Sequence, residues 1–135
     1  EKSMRYRNEA LRLCRKTADR RGEAILLENI GNTAREMGDF DRAEEYLKRA
    51  QELCEEMQLQ SHLATTIAMQ GLLALDRDST DRAIGLYLES RDIISSTELA
   101  WKPLEDFCKL RDRLLQAGTP SERIPLPEGQ AGPKD

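Results

Sequence analysis

The stretch from residue 26 to residue 50, LLENIGNTAREMGDFDRAEEYLKRA, decides the fold of this chain. Its apolar residues follow the spacing of one helix face, stop at a single break, and then resume the same spacing. They are Ile30, Ala34 and Met37 before the break, and Ala43, Leu47 and Ala50 after it. The break is Gly38-Asp39, where Gly38 is predicted to adopt the left-handed conformation that ends a helix. The stretch therefore predicts two helices joined by a tight turn.

The same pattern returns 40 residues later along the chain. Identical residues at this shift include Gly31 and Gly71, Ala34 and Ala74, and the triplets Asp41-Arg42-Ala43 and Asp81-Arg82-Ala83. The shift also relates Ala10, Leu13 and Cys14 to Ala50, Leu53 and Cys54. The opening segment therefore matches the second half of a repeat, and we expect the chain to be a fragment of a longer protein. A fixed period of this length is typical of solenoid proteins.

Six helices are predicted, at residues 3–19, 23–37, 41–57, 62–76, 80–96 and 101–117. Short connections make sequential helices antiparallel neighbours. Gly31, Ala43 and Ala50 are small enough to let two helices approach closely. The predicted fold is all-α, a right-handed α-solenoid of stacked antiparallel helix pairs. In the last helix Arg111 stands where the earlier repeats have glycine, so we expect this helix to cap the solenoid.

Proline use divides the chain into a helical part and a tail. Residues 1–102 contain no proline, whereas residues 119–135 contain four. Proline removes a backbone donor and clashes with the preceding turn, so it is rare inside helices. We predict a helical repeat domain over residues 1–118 and an extended Pro/Gly-rich tail or linker over residues 119–135.

Composition argues against several functional classes. The net charge is −4, and Tyr6 is the single aromatic among the eight Lys and Arg of residues 1–21, so we predict no binding of nucleic acid. This basic helix either receives an acidic partner or is a solvated face. No apolar stretch approaches the roughly 20 residues of a membrane span, so no membrane association is predicted. Cys14, Cys54 and Cys108 lack metal or redox spacing, which predicts buried thiols and a cytoplasmic location.

The repeat resembles the tetratricopeptide repeat family. In the first unit the family pattern is matched by Leu27, Ile30, Gly31, Ala34, Gly38, Phe40, Ala43, Leu47 and Ala50. In the second it is matched by Ile67, Gly71, Ala74, Ala83 and Tyr87, with departures at Asp78, Thr80 and Ser90. The period of 40 residues exceeds the standard 34. It resembles the long-period variant of kinesin light chains, Pins-type polarity scaffolds and prokaryotic signalling regulators. The resemblance covers roughly residues 5–117.

The resemblance implies that the first helix of each pair lines a concave, peptide-binding groove. The residues at these positions are Glu28, Asn29, Asn32, Arg35, Glu36, Met69, Leu72, Asp76, Lys109 and Asp112. Asn29 and Asn32 carry both donors and acceptors for a peptide backbone, and Arg35 can hold a carboxylate. Met69 and Leu72 predict a partner with an apolar anchor. The alternative is that these residues form ordinary solvated helix faces.

The partner is predicted to be a protein or peptide, held through an internal segment or helix. Family members that bind chaperones grip a C-terminal carboxylate with Lys and Asn. The matching positions here are Glu28, Asn32, Met69, Glu105 and Lys109, of which only Asn32 is retained. A chaperone C-terminal carboxylate is therefore not the expected ligand. Self-association through the N-terminal helix is a further prediction.

No catalytic residue, cofactor or metal is predicted. His62 is the single histidine, and the sequence places no nucleophile or carboxylate beside it. Glu28 and Glu36 lie about 12 Å apart along one helix, too far apart to flank one scissile bond. The predicted function is a protein–protein interaction module that binds its partner on a concave face. The alternative is a sensor or oligomerisation domain of a larger signalling ATPase or transcription regulator.

Overall fold

A computed structural model describes residues 2–16, 18–97 and 104–127. Six α-helices and one short 3-10 helix account for most of them. They are α1 (Lys2–Lys16), α2 (Arg20–Glu36), α3 (Phe40–Met57), α4 (Gln60–Asp76), α5 (Thr80–Thr97), α6 (Glu105–Gln116) and η1 (Ser121–Arg123). Within those described ranges there is no β-strand. The prediction of an all-α fold with six helices is therefore confirmed for the described residues.

Five helices end in the same way, with a single residue in the left-handed conformation. These residues are Ala18, Gly38, Gln58, Asp78 and Gly118, with φ between 55° and 94°. After α2, the Asp39 N–H donates to the Ala34 carbonyl at 2.9 Å across this turn. The prediction for Gly38 is confirmed, and Asp78 takes the same conformation at the matching position one repeat later. Left-handed residues therefore recur every 20 or 40 residues, and each turn closes by hydrogen bonds to the preceding helix.

Helix starts explain where the predicted boundaries differ from the structure. Helix α1 ends at Lys16, before the predicted residue 19, because Ala18 turns left-handed and Asp19 already caps α2. The Asp19 carboxylate accepts the Gly22 N–H at 2.9 Å, the usual role of an N-cap aspartate. Helix α6 begins at Glu105. The earlier part of its predicted range, residues 101–103, lies outside the described residues.

The chain divides into two compact units, of which the first comprises residues 1–59. In this unit α2 and α3 form an antiparallel pair around fully buried Ile30 and Leu47. A β-carbon added to Gly31 would lie 2.8 Å from Leu47 Cγ and 3.3 Å from the Leu47 backbone nitrogen. Gly31 therefore permits a close approach of the two helices, as predicted.

Helix α1 also packs on α2 in the first unit. The Arg15 Nε donates to the Glu23 carboxylate at 3.0 Å, and Glu23 is almost fully buried. Near the other end of α1, the Arg7 guanidinium donates to the Asn29 carbonyl and to the Thr33 hydroxyl. These polar contacts fix α1 along one side of α2.

The second unit comprises residues 60–135, and its core joins α4, α5 and α6. The Tyr87 and Phe107 rings stack in this core with centroids 4.8 Å apart. Ser90 departs from the alanine of the family pattern but remains small, and its buried hydroxyl donates to the Ala64 carbonyl at 2.8 Å. This hydrogen bond ties α5 to α4.

Residues 119–127 differ from the extended tail expected from the prolines. They fold back on α5 and α6 after the left-handed turn at Gly118, and Ile124 is fully buried in the core of the second unit. Three side chains donate hydrogen bonds to backbone carbonyls of this segment, those of Tyr87, Arg91 and Arg111. Residues 128–135 of the predicted tail lie outside the described residues, and the domain boundary at residue 118 stays a prediction.

Candidate functional site

The predicted groove residues of the first unit form a polar strip along α2. Asn29 and Glu36 are exposed, Asn32 is half-buried, and Glu28 and Arg35 are nearly buried. Glu28, Asn32 and Arg35 follow one another at spacings of four and three residues, which places them on the same helix face. The structure therefore brings these five residues together on one helix.

Within this strip, Asn32 and Arg35 form a hydrogen-bonded pair. The Arg35 Nε donates to the Asn32 Oδ1 at 3.1 Å. Because this bond uses the amide oxygen, it turns the two N–H donors of the Asn32 carboxamide away from Arg35. Arg35 is only 9% exposed, and its hydrogen bond helps to orient Asn32. The arrangement offers hydrogen-bond donors to the backbone carbonyls of a ligand.

The equivalent positions on α4 differ from the prediction. Leu72 is fully buried among the residues that join α4 to α6, and Met69 is 4% exposed. Leu72 belongs to the same core cluster as Phe107 and Leu110, because α6 packs over α4. The prediction that Met69 and Leu72 offer an accessible apolar patch is therefore wrong.

The remaining predicted residues of the second unit are polar. Asp76 at the end of α4 pairs with Arg113 of α6, with 3.0 Å between the Asp76 Oδ1 and an Arg113 guanidinium nitrogen. Lys109 and Asp112 are exposed on α6. Asp76 thus helps to hold α6 on α4, whereas Lys109 and Asp112 can meet a ligand.

Comparison with known families supports the repeat assignment. The sequence model of the tetratricopeptide repeat family matches residues 1–56. Residues 1–56 therefore resemble tetratricopeptide repeat sequence. No curated protein and no solved structure matches the chain. Tetratricopeptide repeats are generally non-enzymatic modules for protein–protein interaction, and a general interaction role is therefore supported for this chain.

Residues 2–16, 18–97 and 104–127 contain no cluster of His, Cys, Asp or Glu side chains that could hold a metal ion. None of the helices in these ranges is long and apolar enough to cross a membrane. Burial raises the pKa of the Cys14 and Cys108 thiols, with smaller contributions from nearby carboxylates. A raised pKa keeps a thiol protonated and makes it a poorer nucleophile.

Sequence reasoning missed the contacts that this repeat protein makes with residues 124–126. Tyr87, Arg91 and Arg111 supply these contacts, and none of them was predicted as a binding residue. One signal was present. Arg111 occupies the position of Gly31 and Gly71, and glycine there would leave the Ile124 carbonyl without its guanidinium donor.

Proposed function

We propose that this chain is a protein-interaction module that binds an extended peptide or protein segment. The proposed site is the polar strip on α2 in the first unit, where the family resemblance places the ligand-facing side of the first helix of a pair. Lys109 and Asp112 on α6 are exposed polar residues of the second unit and form a separate candidate contact surface. Because Met69 and Leu72 are buried, the proposed ligand is held by polar contacts rather than by an apolar anchor.

The observation that carries the proposal is the Asn32–Arg35 hydrogen bond. Asparagine can donate and accept, so it suits a peptide backbone whatever the ligand's side chains are. Orienting the carboxamide before binding reduces the entropy lost when the ligand is held. The neighbouring exposed residues, Asn29 and Glu36, add an amide and a carboxylate to the same strip. The expected ligand therefore presents backbone carbonyls and at least one basic side chain.

Binding can be tested with peptides selected from a displayed library on the full chain. Dissociation constants are then measured by fluorescence anisotropy for the wild type, Asn29→Ala and Asn32→Ala. Loss of a hydrogen bond in a contact surface costs about 1 to 3 kcal/mol, so each variant should bind about fivefold to hundredfold more weakly. Lys48→Ala, on the exposed face of α3, is the matched control. If only the control weakens binding, the site lies on the second helices.

A second candidate function is self-association, the oligomerisation role in a larger signalling ATPase or transcription regulator. It is favoured by two exposed apolar residues on α1, Tyr6 at 77% and Leu13 at 49% exposure. They are seven residues apart and so share one helix face. The proposed occupant is a second copy of the chain, because α1 is basic where the equivalent surface of α3 is acidic.

Sedimentation equilibrium tests this self-association. The wild type should be a dimer, and the double variant Tyr6→Ser/Leu13→Ser should be a monomer. A monomeric wild type would contradict it.

A cytoplasmic location is proposed together with this function. The three cysteines are thiols on three different helices, and Cys54 is fully buried in the packing of α3. Thiols are maintained in a reducing compartment. Fluorescence microscopy of the tagged full-length protein would test the location.

A further inference from the structure

The segment Ile124–Pro127 lies on α5 and α6 in the manner of a bound peptide. Three consecutive carbonyls, those of Ile124, Pro125 and Leu126, each accept one hydrogen bond from a side chain of the helices. The donors are the Arg111 Nε at 3.0 Å, the Tyr87 hydroxyl at 2.7 Å and the Arg91 Nε at 3.0 Å. The contacts are therefore directed at the backbone, one for each residue.

The two ends of the segment are buried against the helices, and its middle is more exposed. Ile124 is fully buried and Pro127 is buried, whereas Leu126 between them is 39% exposed. Ile124 itself has φ −131° and ψ 64°, which lie outside the polyproline II region. At Pro125 and Pro127 the rings fix φ near −65°. The segment thus presents one anchoring face to the helices.

The helices and the segment are complementary in hydrogen bonding. Arg91 and Arg111 offer donors only, and the neutral Tyr87 hydroxyl acts as a donor here. Pro125 and Pro127 lack a backbone N–H, so this part of the segment presents mainly acceptors. A β-strand would bring backbone N–H groups to the same surface, and the guanidinium groups could not accept hydrogen bonds from them. The surface therefore selects for extended segments that contain proline.

A short connection, residues 118–123, joins Ile124–Pro127 to α6. It begins at the left-handed Gly118, and the Thr119 N–H donates to the Leu114 carbonyl at 3.0 Å. Beyond this turn, its regular structure is the three-residue helix η1. Short segments outside the main helices, with few buried apolar contacts, open locally at lower free energy than the helices they cover. Such an opening would expose the surface on α5 and α6.

We propose that this surface of α5 and α6 is a second binding site, for proline-containing extended segments, and that Ile124–Pro127 is its intramolecular ligand. A segment of another protein with an apolar residue, a proline, a further residue and a second proline binds there by displacing residues 124–127. The proposal is independent of the polar strip on α2, because all of its contacts lie within the second unit.

The test uses the full chain carrying Ile124→Asp, whose own segment should leave the surface because a carboxylate is costly to bury. The probe is a fluorescein-labelled peptide with the wild-type sequence of residues 119–128, TPSERIPLPE. This variant should bind the peptide at least about tenfold more tightly than the wild type, whose tethered segment competes at an effective concentration of about millimolar. The double variant Ile124→Asp/Arg111→Ala should bind the peptide about fivefold or more weakly than Ile124→Asp alone. The control double variant Ile124→Asp/Lys48→Ala should bind it as tightly as Ile124→Asp alone.

A matched peptide with aspartate in place of Ile124 should not bind, which separates anchored binding from simple charge attraction. Circular dichroism checks that Ile124→Asp keeps its helices. If it does not, the same titration is made with Ile124→Ala, which retains a smaller apolar side chain. The proposal is overturned if the peptide binds neither folded variant, because residues 124–127 would then act only as a tethered part of the core. Binding that Asn32→Ala abolishes would instead place the peptide on α2.

Discussion

Gly31→Ala tests whether α2 and α3 are packed as closely as the structure shows. The added β-carbon would lie 2.8 Å from Leu47 Cγ and 2.9 Å from Leu47 Cδ2. Normal contacts between carbons begin near 3.5 Å, so the groups must separate by roughly 0.7 Å. Leu47 is fully buried, and its backbone nitrogen is also only 3.3 Å away, so a rotamer change cannot relieve the whole clash.

The expected magnitude follows from two opposing effects. Overpacking a core typically costs about 1 to 3 kcal/mol. Replacing glycine with alanine inside a helix stabilises it by about 1 kcal/mol. Gly85→Ala in α5 should show only the stabilisation from helix propensity, because no atom lies within 4 Å of its added β-carbon. The stability change of Gly31→Ala should therefore be about 1 to 3 kcal/mol less favourable than that of Gly85→Ala.

Amide hydrogen exchange by NMR is the appropriate assay, because the two glycines lie in different units. Amides of α3 report the opening free energy of the first unit, and amides of α5 report that of the second. Gly85→Ala should slow exchange in α5. Equal slowing of exchange in α3 by Gly31→Ala would refute the close packing at Gly31.

Three further predictions concern individual residues. Gln58→Gly should stabilise the protein by about 1 kcal/mol in urea unfolding, because Gln58 has a φ of 55°, which is strained for a residue with a side chain. A loss of stability would contradict this. Ser90→Ala should cost about 1 kcal/mol through loss of the hydrogen bond to the Ala64 carbonyl, and an unchanged urea midpoint would argue against that bond. Burial raises the pKa of Tyr87 to about 12, above its usual value near 10. The folded state therefore favours the neutral hydroxyl that donates to Pro125, and this stabilisation is complete below about pH 10 and lost towards about pH 12. The stability difference between the wild type and Tyr87→Phe should shrink between about pH 9 and about pH 11, whereas a constant difference would contradict the assignment.

The sequence predicted the helices well because their signals are local and repeated. Glycine at position 38 and aspartate at position 78 both tolerate the left-handed conformation, so two helix ends could be identified. Ala18 and Gln58 take the same conformation without any such signal. Their backbone is imposed by the 20-residue spacing of the helices rather than by their own preferences.

The candidate site was harder to predict because accessibility depends on which neighbour covers a helix. Leu72 occupies a groove position in the family pattern, but α6 packs over it. The apolar character of α4 on nearly every side was the available indication, since a helix that is apolar all round is usually buried. The prolines of the tail predicted an extended backbone, but residues 121–123 form a 3-10 helix and Ile124 packs into the core of the second unit, which depends on contacts with α5 and α6 rather than on local sequence.

Binding of an extended peptide to the polar strip of α2 can be tested by mapping the ligand's footprint. A library-selected peptide is titrated into the ¹⁵N-labelled full chain, and amide and side-chain shifts are followed by NMR. We expect the largest changes at Asn29, Asn32 and Glu36, including the Asn32 carboxamide. Changes concentrated instead at Lys48 and Glu52, on the exposed face of α3, would contradict it.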